Sequence, residues 1–179
     1  MKKVIIKCKL RGRDAFEQKL SDIGLDFGPV YWQHDRVYVP RNYKKRGSFP
    51  RLIMRTEMKA LDRPPRYELI LRRHIEDSGV DIVNSTVIKD YTEAVNIIYQ
   101  LGFEKKAEVS RQRQDLTLKG GTKLFIDNIE GTVGYYAKIE ADLREDDKVG
   151  EVRDELRRTL EVLGEKNFIN ETYADLLVG

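Results

Sequence analysis

Hydrophobic and polar positions alternate along much of the chain, and the alternation predicts strands. Val4, Ile6, Cys8 and Leu10 are apolar while Lys3, Lys7 and Lys9 are charged. A period of two puts these sets on opposite faces of one strand. Further strands are predicted over 30–39, 51–57, 67–74 and 80–88, and three in succession over 110–118, 122–128 and 135–143. Between the first two of that trio stands Lys119-Gly120-Gly121, where glycine supplies the positive φ of a tight hairpin. Helical spacing replaces alternation over 13–23, 92–101 and 147–163, the first two closed by Gly24 and Gly102. The last of these carries Val149, Val152, Leu156, Leu160 and Leu163 on one stripe. A short final helix is expected over 170–177.

The order is strand, helix, three strands, then the same again, then helices. This reads as one domain over 1–179 with an internal repeat, about 1–78 and 79–143, and C-terminal helices over 147–177. Counted from Gly24 and Gly102, Gln33 falls level with Arg111 and Asp35 with Arg113. Arg51, Ile53 and Arg55 match Lys123, Phe125 and Asp127, and Ile70 and Arg72 match Lys138 and Glu140. Eight largely antiparallel strands lose their open edges by closing into a barrel. The expected class is therefore α+β: a closed eight-stranded antiparallel barrel, or tunnel, with helices packed outside. The apolar strand faces would meet the helices and the charged faces the lumen. Each half would contribute cations: Lys3, Lys7, Lys9, Arg51, Arg55 and Arg72 from the first, Arg111, Arg113, Lys123 and Lys138 from the second.

Composition narrows the function only by exclusion. A net charge of +3 over 179 residues is too small to imply nucleic-acid binding by itself. The basic loop Arg41-Asn42-Tyr43-Lys44-Lys45-Arg46 is the one stretch suited to RNA contact, although such loops are usually only solvated. Cys8 is the single cysteine, so an internal disulfide and a multi-cysteine zinc site are excluded. No apolar run approaches membrane-spanning length. Met1-Lys2-Lys3 leads into a short apolar run broken by Lys7 and Lys9, unlike a signal peptide, so a cytoplasmic protein without a membrane partner is expected. The 147–163 helix offers a face for a homodimer. His34 and His74 stand alone, with no metal-type histidine pair.

Several stretches together resemble the CYTH family of triphosphate tunnel enzymes over essentially the whole chain. Gln33-His34-Asp35-Arg36-Val37-Tyr38 resembles the family's Gln-x-Asp-x-Tyr-Phe strand. Arg51-Leu52-Ile53-Met54-Arg55 resembles its Leu-Arg-Ile-Arg strand. Leu101-Gly102-Phe103 with Val109-Ser110-Arg111-Gln112-Arg113 resembles its Leu-Gly-Phe…Val-x-Lys-x-Arg segment. Asp127-Asn128-Ile129-Glu130-Gly131 and Lys138-Ile139-Glu140 resemble its Asp-x-Val-x-Gly…Glu-Ile-Glu ending. Glu171-Thr172-Tyr173-Ala174-Asp175-Leu176-Leu177 resembles the C-terminal Ser-Tyr-x-x-Leu-Leu of the cyclase-like branch. The departures are as specific. The family's first-strand Glu-x-Glu-x-Lys is Lys3-Val4-Ile5-Ile6-Lys7 here. Its fifth-strand Arg-x-Glu-x-Glu falls on Ile82-Val83-Asn84-Ser85-Thr86, and Lys138 stands where Glu-Ile-Glu has a glutamate.

The resemblance implies a triphosphate-containing small molecule held in the tunnel, with Mg²⁺ or Mn²⁺ beside it. Lys7, Arg55, Arg72, Arg111, Arg113 and Lys123 would bind phosphate, since arginine grips phosphate oxygens two at a time. Glu140 and Asp127 would be the remaining metal ligands, and Lys7, Arg55 and Glu140 the catalytic set. Family carboxylates are missing at Lys3, Ile5 and Asn84, and a divalent ion needs such oxygens. The expected activity is therefore a weakened metal-dependent phosphohydrolase or adenylate cyclase-like reaction. The alternative is a non-catalytic receptor for polyphosphate, nucleotide or an RNA 5′-triphosphate.

Overall fold

A computed structural model describes residues 1–43, 50–60, 62–75 and 78–178. Its elements are β1 (Lys2–Lys9), α1 (Arg13–Ser21), β2 (Tyr31–Pro40), β3 (Arg51–Met58), β4 (Arg66–Ile75) and β5 (Val80–Ile88). They continue with α2 (Tyr91–Gln100), β6 (Phe103–Thr117), β7 (Lys123–Ile129), β8 (Tyr135–Asp142), α3 (Val149–Val162), β9 (Phe168–Ile169) and α4 (Tyr173–Val178). Two features exceed the sequence expectation. Strand β6 begins at Phe103, directly after the glycine that ends α2, and runs for 15 residues. The two-residue β9 was not foreseen, because so short a run has no alternation to read.

The strands pair in the order β5-β4-β3-β2-β6-β7-β8-β1, and a β5–β1 pairing closes the ring. All the pairings are antiparallel. The closure is narrow: Lys2, Lys3 and Val4 face Ile82, Asp81 and Val80. Beyond Val4 the edge of β1 is taken up by β9, which pairs with Lys7 and Cys8. Paired edges leave no ladder groups unsatisfied. The turn between β6 and β7 uses positive φ at Gly120 and Gly121, as the sequence predicts.

Helices cover the outer wall in two places. Phe16 and Leu20 of α1 and Leu156 and Leu160 of α3 pack on Val4, Cys8, Leu124, Ile126 and Ile139. Ile98 of α2 packs on Tyr38 and Met54, with Leu52, Leu69 and Ile88 around them. Asp90 caps α2 by accepting from the Glu93 N–H at 2.9 Å. The third apolar cluster is different in kind. Tyr173 and Ala174 of α4 pack on Val37, Val109, Ile129 and Tyr136. These strand residues lie on the same faces as Asp35, Arg111, Asp127 and Lys138, two or more positions along, so α4 closes one end of the lumen. Among the described residues no helix is long and apolar enough to cross a membrane.

Candidate functional site

The odd positions of β1, β2, β3, β5, β6 and β7 and the even positions of β4 and β8 turn inward. The lumen they form is polar and largely buried: Gln33, Asp35, Asp81, Arg111, Arg113 and Asp127 are all no more than 5% exposed.

One side of the lumen is a closed arginine–carboxylate network. Asp35 on β2 accepts from Arg55 at 2.7 and 2.9 Å and from Arg111 at 2.6 Å. Arg111 also donates to the Gln33 carbonyl oxygen at 2.9 Å, and the Gln33 amide donates to Glu57 at 2.6 Å. Asp127 accepts a two-pronged grip from Arg113 at 2.6 and 2.7 Å. Burial alone would raise Asp35 and Asp127, but the adjacent guanidiniums outweigh it and hold both below the usual carboxylate range. Arg113 also lies over the Phe125 ring, 4.4 Å from its centre.

The other side is built from lysines. Lys7 on β1 stands directly opposite Lys138 on β8. Like charges facing one another across a strand pair are destabilising. Glu140 partly offsets them, meeting Lys138 at 2.5 Å and Lys3 at 2.8 Å. Arg72 is paired with Asp81 at 2.7 Å, and His74 contacts the same carboxylate at 3.2 Å. Among the described residues Lys7 meets no carboxylate at ion-pair distance; it donates to the backbone carbonyl of Glu171 and lies 5.6 Å from the centre of the Tyr173 ring. Burial, with Arg72 and Lys138 adding to it, pushes Lys7 down to about 7. Burial lowers Lys138 to about 8, opposed by Glu140 and reinforced by Arg113 and Arg72. Lys3 moves the other way: against its burial, Glu140 and Asp142 raise it.

The structure thus brings Lys7, Arg55, Arg72, Arg111, Arg113, Asp127 and Glu140 to one lumen. Lys123 is exposed at the start of β7, opposite Glu140. Lys9 is half-buried at the end of β1. Arg51 points into the lumen end but is held by Thr172 at 2.9 Å, Tyr43 at 2.9 Å and Asp175 at 3.5 Å. Of the basic loop, Lys44, Lys45 and Arg46 lie outside the described residues. Asp81 was missed by the sequence reading, although the strand parity that places Arg111 inward places Asp81 inward as well. Glu171 and Tyr173 had no sequence signal beyond the resemblance, because loop and plug contacts have no periodicity.

The expected metal ligands do not fit a divalent ion. Both Asp127 oxygens are occupied by Arg113, and each Glu140 oxygen faces a lysine. Mg²⁺ and Mn²⁺ take oxygen ligands, usually carboxylates and water. Among the described residues no three histidine, cysteine or carboxylate side chains gather to supply them.

No protein-family model and no curated protein matches the chain. Solved structures do share its fold. The PH1819 protein of Pyrococcus horikoshii OT3 is 20% identical, with 98% of each chain covered and a TM-score of 0.83. A candidate adenylate cyclase of Vibrio parahaemolyticus is 16% identical over 99% of this chain and 98% of that one, with a TM-score of 0.81. A candidate adenylyl cyclase of Hippeastrum with a dominant triphosphatase activity is 15% identical over 99% and 95%, with a TM-score of 0.63. At these identities the likeness establishes the barrel fold, consistent with the CYTH-like architecture that the sequence resemblance implies, and fold alone does not carry function.

Proposed function

We propose that the barrel is a receptor for a polyphosphate-bearing anion, bound in the lumen at Lys7, Lys138 and Arg72, and that it does not turn that ligand over. The observation that carries this reading is the Lys7–Lys138 pair. Two lysines directly opposite each other, inside a barrel and flanked by Arg72, face Glu140, Asp81 and Asp175 as counter-charge among the described residues; Asp81 is paired with Arg72 and Asp175 lies against Arg51, so positive charge is left in excess. A buried excess charge is costly unless something neutralises it. A phosphate chain would do so, with several oxygens accepting from several donors at once. The solved neighbours that include a triphosphatase-active cyclase support the ligand class.

The same geometry moves the reading away from hydrolysis or cyclisation and towards the non-catalytic alternative. Arg55, Arg111 and Arg113 are spent on Asp35 and Asp127 and hold the wall rather than the ligand. Every oxygen of Glu140 and Asp127 already faces a cationic side chain, so a metal ion would meet competing positive charge at both.

Thermal unfolding with tripolyphosphate, ATP and thiamine triphosphate, each with and without Mn²⁺, tests this, with released phosphate measured in parallel. Tripolyphosphate should raise the Tm without metal, and Mn²⁺ should not produce phosphate release. No Tm response to any of the three anions would remove the binding reading. Mn²⁺-dependent phosphate release at ordinary enzyme rates would restore the enzyme reading.

A further inference from the structure

Glu140 is the carboxylate nearest the excess lysines, and its two oxygens are clamped by two ammonium groups. Oε1 meets Lys3 at 2.8 Å and Oε2 meets Lys138 at 2.5 Å. Both lysines come from strands that flank or contain Glu140: Lys138 lies two residues before it on β8, and Lys3 reaches from β1, whose Ile5 is directly opposite Glu140. The clamp therefore belongs to the backbone register and needs no loop to order it. A divalent ion arriving at Glu140 would have to compete with an ammonium at each oxygen. It would then sit among Lys7, Arg72 and Arg113, all of the same sign, at a buried position where charge repulsion is weakly screened.

We infer that the tethered ammonium of Lys138, backed by Lys3, occupies at Glu140 the place a divalent cation would need, so that the lumen selects polyphosphate free of metal over its metal complex. This rests on the reading of the lumen as a polyphosphate site. Lys138 is then a specificity-determining residue. It supplies a positive charge that travels with the protein, and it makes Mg²⁺ a competitor, because Mg²⁺ withdraws free anion from solution and its complex brings positive charge into a cationic site.

The charge-reversing variant K138E frees Oε2 of Glu140 and adds a second carboxylate on the same face of β8. It should turn Mg²⁺ from a competitor into a helper. Lys138→Met keeps an unbranched apolar stem one atom shorter and removes the ammonium, its charge and its N–H donors together.

Isothermal titration of the full chain with tripolyphosphate, in EDTA and in excess MgCl₂, tests the inference. The wild-type protein should bind in EDTA and at least about tenfold more weakly in Mg²⁺. K138E should reverse that order, and Lys138→Met should bind weakly in EDTA without gaining from Mg²⁺. Wild-type binding that requires Mg²⁺ overturns the inference while leaving the polyphosphate reading intact. So does Lys138→Met binding in EDTA as tightly as wild type. Absence of wild-type binding in both buffers overturns the polyphosphate reading itself, and the inference with it. Circular dichroism checks folding; should K138E fail to fold, the wild-type ratio and Lys138→Met decide the outcome.

Discussion

The two halves of the barrel, β1–β4 and β5–β8, share one pairing scheme and differ in what they put inside it. Exchanging the halves maps β1–β8 onto β5–β4 and β2–β3 onto β6–β7, while β1–β5 and β2–β6 map onto themselves. Under that exchange the Asp35–Arg55 pair falls on Arg113–Asp127. The same buried, two-pronged ion pair occurs twice with acid and base swapped. The Lys7–Lys138 pair falls on Ser85–Ile70, which carries no charge at all. A position that works with either polarity is being used to fill and lock the lumen. A position charged in one half and neutral in the other is not required by the barrel, and that is where a ligand is the simpler explanation.

The largest effect should come from breaking a locking pair. Asp127→Ala leaves the Arg113 guanidinium, 3% exposed, without its partner. A buried charge stripped of its counter-ion typically costs about 3–5 kcal/mol. Removing both members, Arg113→Met with Asp127→Leu, should recover most of that loss, because the penalty lies in the unpaired charge rather than in the missing bond. Urea unfolding of the single and double variants measures this. A double variant no more stable than Asp127→Ala would mean that the pair has a further role, and the contrast between the halves would lose its basis.

The lysine side should behave in the opposite way. Lys7→Met removes a buried ammonium that has no carboxylate partner among the described residues, and stability should rise by about 1–3 kcal/mol, while the Tm response to tripolyphosphate disappears. The pH dependence follows from the direction of the shift. Lys7, at about 7 when folded, titrates far below its unfolded value of about 10.4. Between those values the unfolded chain holds more protons, so the ligand-free protein gains stability as pH rises. Below about 7 both states are protonated and the penalty is present in full. Binding an anion recharges the lysine, so the tripolyphosphate response should shrink as pH goes from 6 to 8.5. In Lys7→Met both slopes should flatten. An unchanged slope in that variant would show that Lys7 is not the group responsible.

Much of this arrangement was legible in the alternation of the strands. Parity groups Arg111 with Arg113 and Lys138 with Glu140 and sets Lys7 apart from the apolar face of its strand; closure into a barrel then turns those faces inward. The spacing that separates Gly24 from Gly102 also separates Gln33 from Arg111, which face one another across β2 and β6. What alternation could not show is which inward charge takes which partner. Asp35 lies between Arg55 and Arg111 because three strands converge on it, and that convergence depends on register across the sheet. The place of the plug was equally hidden: β9 pairs with Lys7 and Cys8, beyond the short β1–β5 seam, and α4, expected as a helix, packs on Val37, Val109, Ile129 and Tyr136 at one end of the lumen, and nothing in a two-residue strand announces that.

The smallest effects compare Arg51 with Lys123, which occupy equivalent places in the two halves. Arg51, opposite Arg72, is half-buried and tied to Thr172, Asp175 and Tyr43. Lys123, opposite Glu140, is exposed at the rim. Arg51→Ala should therefore loosen α4, at a cost of about 1 kcal/mol for its lost hydrogen bonds, and speed proteolytic removal of the chain after β9. Lys123→Ala should stay within about 0.5 kcal/mol of wild type and weaken tripolyphosphate binding less than about twofold, since an exposed charge is well screened. A loss at Lys123 as large as that at Lys7 would move the ligand from the lysine wall towards the open rim, and the buried pair would then need another explanation.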